Sequence, residues 1–172
     1  MPSRTIWDGR ACFTTHVVHD HTPIFCHHNY FSVICDSLTW CRHHAGLKVY
    51  GFVIMPDHVH LLSAADNSAA LQDTLARFRR FTALELLKRL KWDKVEWAMN
   101  ALNSSESGQS LWESGFYPVD ASRADIFDQK LEYLHENPVR RGFVKEAQDW
   151  AYSSARNYWK KDWHAMEIDF PE

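Results

Sequence analysis

A chain of 172 residues with 45% hydrophobic and 24% charged side chains can close a sizeable core and is too apolar to be disordered. No apolar run approaches the length needed to span a bilayer, which excludes a helical membrane protein. A net charge of −3 and a pI of about 6.4 count against coating nucleic acid by bulk charge, although the placement of single cations matters more.

The opening segment MPSRTIWDGR has no apolar stretch before Asp8. No secretory leader is therefore expected, and a cytoplasmic location with reduced thiols follows. Of Cys12, Cys26, Cys35 and Cys41, no two are spaced C-x-x-C, and Cys41 and His43 do not share a helical face. A structural zinc site is not expected. Residues 11–19, ACFTTHVVH, read as a strand, and DHTPIF (20–25) as a turn. Across 28–45, Phe31, Ile34, Leu38 and Cys41 recur at helical spacing, and Gly46 closes the helix. Strands are expected at 47–55 and 58–65, antiparallel and joined through Pro56-Asp57. Residues 69–91 predict a long helix, with Leu71, Leu75, Phe78, Thr82 and Leu86 on one face and Arg77, Arg80, Lys88 and Lys91 opposite. NALNSSESGQS (100–110) reads as a loop, and LWESGFYPV (111–119) can hold a short strand. Ser122 is placed to cap a helix over 123–137, and Pro138 disfavours helical geometry at Asn137. Gly142 ends the short element that follows, and the tail from Trp150 reads as aromatic and irregular. This order predicts an α+β fold, an antiparallel sheet with helices packed mainly on one face. One domain is expected over 1–172, with a core at about 11–147 and an extension at about 148–172.

Two features carry chemistry. In PDHVHLL, strand alternation points His58 and His60 to one face and Val59 to the other. Their Cα atoms stand ~7 Å apart, close enough for both imidazoles to reach one metal ion. By spacing alone, two surface imidazoles on a half-exposed strand are an equal reading. In LEYLHENPVRRG, Phe127, Leu131 and Leu134 form the buried stripe of a helix, and Tyr133 and Asn137 lie together beside it, with Lys130 on the same flank. On the residues alone, a boundary tyrosine followed by a helix-terminating asparagine is the stronger explanation of that pair.

PDHVHLL, YLHENPVRRGFV and DWAYSSARNY, in that order and with LWESGF between the first two, resemble the HUH-type single-tyrosine transposases, and most closely the REP-associated tyrosine transposases. The resemblance runs from about Cys12 to Trp159. It implies a ferredoxin-like fold, metal ligands at His58, His60 and Asn137, and a nucleophile at Tyr133. The implied reaction is attack of the Tyr133 oxygen on a phosphodiester of single-stranded or hairpin-associated DNA, leaving a 5′-phosphotyrosine and a free 3′-OH. A free phenol, with a pKa of ~10, is a weak nucleophile at neutral pH, so a cation that polarises the phosphate is needed. Two imidazoles and an amide leave positions for DNA oxygens, which suits Mg²⁺ or Mn²⁺. Lys130, Arg140, Arg141, Arg77, Arg80 and Arg156 are candidate phosphate contacts. Trp112, Phe116, Tyr152 and Tyr158 are candidates to stack on unpaired bases. Asp57 reads as a turn residue, which would face away from the histidines if it lay in the strand; a supporting role behind His58 is the lesser alternative. The partner is single-stranded or hairpin DNA, and the acting form is a monomer or homodimer. Two other readings compete. One is a relative that binds hairpin DNA or RNA without cutting it. The other is an unrelated metalloenzyme of the two-His-one-carboxylate kind, for which no matching carboxylate is apparent.

Overall fold

The computed structural model describes residues 11–103 and 110–171. Strands β1 (Cys12–Val17), β2 (Lys48–Ile54), β3 (His58–Ala64) and β4 (Val119–Asp120) form one antiparallel sheet in the order β2-β3-β1-β4. Helix α1 (His28–His44) joins β1 to β2, and α2 (Ser68–Trp92) follows β3. With β4 this is the β-α-β-β-α-β order of a ferredoxin-like sheet. A short helix α3 (Glu96–Leu102), then α4 (Ala124–Arg140) and α5 (Ala155–Lys160) complete the described chain. Helix α3 takes the first residues of the segment expected to be a loop, and 104–109 of that segment lie outside the described residues.

Strand alternation sorts the core into two layers. Val59 and Leu61 of β3 pack with α1 and α2, whereas Leu62 and Ala64 pack with Phe13 of β1 and with Phe127 and Leu134 of α4. The two helices of the sandwich therefore share one face, and α4 lies on the other. Helix α2 starts at an Asn67 cap that accepts the Ala70 N–H at 2.9 Å, and it buries Leu71, Thr74, Leu75, Phe78, Thr82, Leu86 and Leu90 at helical spacing. After α1, Gly46 takes a φ of +65°, which lets the Leu47 N–H close on the Cys41 carbonyl.

Two expectations about α4 need correction. Ser122 does not cap α4, because its hydroxyl donates to Asp120 Oδ1 at 2.6 Å; Arg123 takes the cap position and supplies no side-chain hydrogen bond. Helix α4 also continues through Pro138 to Arg140. Proline removes only one helical hydrogen bond. The Arg141, Phe143 and Gly142 N–H groups still bond the carbonyls of Asn137, Pro138 and Val139, and Gly142, at φ +76°, ends the turn.

The tail is ordered against the sheet. Ile54 N–H bonds the Tyr152 carbonyl and Ser154 N–H bonds the Phe52 carbonyl, each at 2.9 Å, along the open edge of β2. The Asp169 carboxylate accepts from Val49 N–H and from Arg42. These contacts cover an edge that would otherwise invite strand pairing. The LWESGF segment does the same for β1: Glu113 N–H bonds the Val17 carbonyl and Thr15 N–H bonds the Phe116 carbonyl. Among the described residues no helix is long and apolar enough to cross a membrane, and Cys12, Cys26, Cys35 and Cys41 form no disulfide.

Candidate active site

Register builds one wall of the site. Val17 of β1 stands opposite His58 of β3, and Thr15 opposite His60. The Pro56-Asp57 turn closes the β2–β3 hairpin through a Met55 N–H bond to the His58 carbonyl at 2.8 Å. Both imidazoles therefore leave the sheet on the α4 side, with ring centroids 4.7 Å apart. Both are buried. His60 Nδ1 lies 2.9 Å from Thr15 Oγ1, and His58 Nδ1 lies 2.6 Å from Asp57 Oδ1. A carboxylate only accepts, so His58 carries its proton on Nδ1. Asp57 sits in the turn, where strand alternation does not apply, and its carboxylate folds back onto His58. Its other oxygen, Oδ2, is 2.9 Å from His21 Nδ1 and 3.8 Å from the Arg141 guanidinium. Burial alone would raise the Asp57 carboxyl, but the His58 and His21 hydrogen bonds and the Arg141 charge outweigh it and bring the pKa down to about 2.

Helix α4 builds the other wall. Gly51 in β2 lets it approach closely: a Cβ there would stand 2.7 Å from Leu131 Cδ1 and 3.3 Å from Leu134 Cδ2. The helix then presents the Tyr133 ring edge-on to His60, 5.5 Å between centroids, and to Phe13 at 5.8 Å. Tyr133 is 41% exposed, and its ring packs edge-on against His60 and Phe13. Two cations flank the ring, the Arg140 guanidinium at 4.5 Å and the Lys130 ammonium at 5.8 Å. Arg140 also donates to the Tyr133 carbonyl. One turn along from Tyr133, Asn137 is buried. Its Oδ1 has no hydrogen-bond partner among the described residues.

This donor set fits a divalent cation. A buried carbonyl oxygen without a partner costs about 1–3 kcal/mol unless something occupies it. Among the described residues no hydrogen bond uses Nε2 of His58 or His60, so both Nε2 atoms are available as ligands. Burial, with the neighbouring His58 imidazole and the Arg140 and Lys130 charges, holds His60 down to about 3, so it is neutral and keeps a lone pair at physiological pH. The described residues contain no trio of His, Cys, Asp or Glu placed to hold a metal. An amide would have to supply the third ligand, and a facial triad of two histidines and a carboxylate gains no support.

The other expected DNA contacts scatter. Lys130, Arg140 and Arg141 lie around Tyr133 and Asp57. Arg77 and Arg80 lie on α2, across the sheet, and Arg77 is paired with Asp73 at 2.9 Å. Trp112 is only 6% exposed; its indole donates to Thr82 Oγ1, and it packs in the core with Arg79 over its ring. It cannot stack on a base from there. Arg79 explains the LWESGF segment instead: its guanidinium also donates to the Glu113 and Gly115 carbonyls, tying the segment to α2. Arg156 pairs with Asp162 on the far side of β2. Phe116 stacks on His16, Tyr152 stacks on Phe31 at 3.8 Å, and the Tyr158 hydroxyl donates to the Tyr50 carbonyl. Thr15 and Phe13, which do line the site, were passed over because a strand reading assigns faces but not cross-strand partners.

A family model described as "Transposase IS200 like" matches residues 28–137. A Haemophilus influenzae protein whose name places it among the REP-associated tyrosine transposases is 24% identical over 151 residues, covering 88% of this chain and 82% of that protein. A REP-associated tyrosine transposase of Escherichia coli is 27% identical over 67 residues, 36% of this chain and 41% of that one. The structure of a REP-associated tyrosine transposase bound to a REP hairpin superposes with a TM-score of 0.60 at 13% identity, over 100% of this chain and 92% of that chain. A Deinococcus radiodurans protein described as a transposase superposes with a TM-score of 0.51 at 17% identity, over 79% and 96% of the two chains.

Proposed function

From the premise that this chain belongs to the IS200-like transposase family, we propose that it cleaves and rejoins single-stranded DNA beside a hairpin, with Tyr133 as the nucleophile. The observation that carries this reading is the position of Tyr133: an accessible phenol between two cations, against the His60 ring, and one helical turn from the unpartnered Asn137 oxygen.

In this reading the Tyr133 oxygen bonds to phosphorus as the bond to the 3′ oxygen breaks. The phenolic proton leaves, the departing 3′ oxygen takes one up, and the products are a 5′-phosphotyrosine and a 3′-OH. The phosphodiester energy is kept in the covalent bond, so a second 3′-OH can reverse the step and join a new strand. Lys130 and Arg140 offset the charge of the phosphate approaching the phenol. Arg141, half-exposed and only loosely held by Asp57, can turn toward the neighbouring phosphate. Phe13 and His60 form the surface on which the tyrosine ring rests. His58, His60 and Asn137 would hold Mg²⁺ or Mn²⁺, which when bound polarises the scissile phosphate.

Wild-type protein incubated with a single-stranded hairpin oligonucleotide and Mg²⁺ or Mn²⁺ should form a denaturant-resistant protein–DNA adduct. Tyr133→Phe should form none while still binding the oligonucleotide. Binding without any adduct from wild type, on hairpins bearing varied flanks, would favour a protein that recognises hairpins without cutting them.

A further inference from the structure

The proposed donor set, two imidazoles and an amide, carries no negative charge. Hard divalent cations ordinarily bind through carboxylates. The structure holds one carboxylate at the right distance to supply that charge indirectly. Asp57 Oδ1 accepts a hydrogen bond from His58 Nδ1 at 2.6 Å, and Oδ2 accepts one from His21 Nδ1 at 2.9 Å. His21 itself leaves the chain just after β1, in a turn where it adopts a φ of +50°, so a third segment of chain holds the carboxylate in place.

We propose that Asp57 is a positioning residue for the metal site. It fixes the His58 tautomer, aims the His58 ring, and lends that imidazole the negative charge the ligand set lacks. This inference rests on the reading of the site given above.

Two observations separate this role from a purely structural one. The hairpin turn does not need the Asp57 side chain, since its hairpin bond runs from Met55 N–H to the His58 carbonyl. The Asp57 main-chain carbonyl, not its carboxylate, ties the turn to β1 by accepting Val18 N–H at 2.9 Å. The carboxylate is mostly buried and spends its oxygens on two histidines and an arginine, none of them in the turn. The two imidazoles also differ: His58 faces a carboxylate, and His60 faces only the Thr15 hydroxyl. A hydrogen bond to a carboxylate makes an imidazole the stronger donor, and losing such a partner lowers metal affinity by ~10–100-fold. His58 should therefore be the dominant ligand of the pair.

The test is Mn²⁺ binding to DNA-free protein, followed by calorimetry and by the paramagnetic resonance signal of free Mn²⁺. Asp57→Ala should weaken binding ~10–100-fold. Asp57→Asn, which keeps an acceptor for the Nδ1 proton but not the charge, should fall between that variant and wild type. His21→Ala, which leaves the Asp57–His58 bond intact, should change affinity less than either. His58→Ala serves as the reference for loss of the site. Wild-type affinity in both Asp57 variants, with His58→Ala unable to bind, overturns this inference alone. No binding by wild type, or equal binding by His58→Ala, overturns the reading of the metal site and this inference with it. If Asp57→Ala does not fold, Asp57→Asn decides.

Discussion

Arg140 holds Tyr133 in two ways: its guanidinium covers the phenol ring at 4.5 Å, and its N–H groups reach back to the Tyr133 carbonyl. It limits the ring's freedom and places positive charge where a phosphate would approach. Arg77 and Arg80 resemble it in sequence but lie across the sheet from the phenol. Arg140→Ala should lower the rate of adduct formation about 10-fold or more, given what positioned charge contributes at such sites. Arg140→Lys should restore it only in part, because an ammonium cannot stack as a planar guanidinium does. Arg77→Ala and Arg80→Ala should leave the rate within about threefold, since exposed charges this far away are screened. Equal losses from all three positions would mean that the DNA follows a different path.

Helix α4 is the element on which the candidate site depends, and its seat is set by an absence. Gly51 has no side chain, and α4 fills the space with Leu131 and Leu134. Gly51→Val should push the helix outward, costing about 1–3 kcal/mol by overpacking. It should slow adduct formation by more than its loss of stability explains, because Tyr133 and Asn137 ride on the displaced helix. Adding Leu131→Ala should recover part of the rate by reopening the space. A Gly51→Val variant with wild-type rate would show that the placement of Tyr133 does not depend on this seat. The apolar stripe of α4, Phe127, Leu131 and Leu134, was legible from its spacing. The burial of Asn137 was not, because the neighbours that cover it come from other elements. Pro138 misled for a similar reason: its local preference is against a helix, but the bonds closing around Gly142 hold the last turn. Trp112 illustrates the limit of aromatic counting, since no sequence pattern separates a tryptophan that stacks on a base from one that donates to Thr82 in a core.

At the scale of the molecule, three histidines among the described residues are held neutral inside the fold. His16, packed among Phe78, Trp112 and Phe116, is lowered to about 3 by burial and by Arg79. His135, bonded to Ser154 between the tail and α4, is lowered to about 3 by burial, as is His60. In the unfolded chain these groups take up protons near their ordinary pKa of 6.5, while the native state does not. Native stability is therefore fully present above that pH and is lost as pH falls from 6.5 toward 3. At pH 5 the loss reaches about 2 kcal/mol per histidine. Asp57 and Asp169, whose carboxyls are held below their ordinary range, add losses only in more acid solution. Thermal melts should show a midpoint that is flat from pH 8 to about 6.5 and then declines. A midpoint unchanged down to pH 4.5 would contradict the burial of these rings.

Periodicity and punctuation in the sequence determined the order of elements from β1 to α2, the antiparallel pairing of β2 with β3 and the shared face of His58 and His60, because all three depend on neighbours within a few residues; α3 and α5 were not legible in it. Motifs in series also pointed to the family. Tertiary structure alone decided the rest. It placed Tyr133 against His60, buried Asn137, turned Asp57 onto His58, and separated Arg140 and Arg141 from Arg77, Arg80 and Arg156. It also laid the aromatic tail along β2 rather than leaving it as an appendage. Each of these outcomes depends on which distant segments meet across a sheet or a helix seat. Such meetings are set by register and by the space left at Gly51, and a one-dimensional pattern records neither.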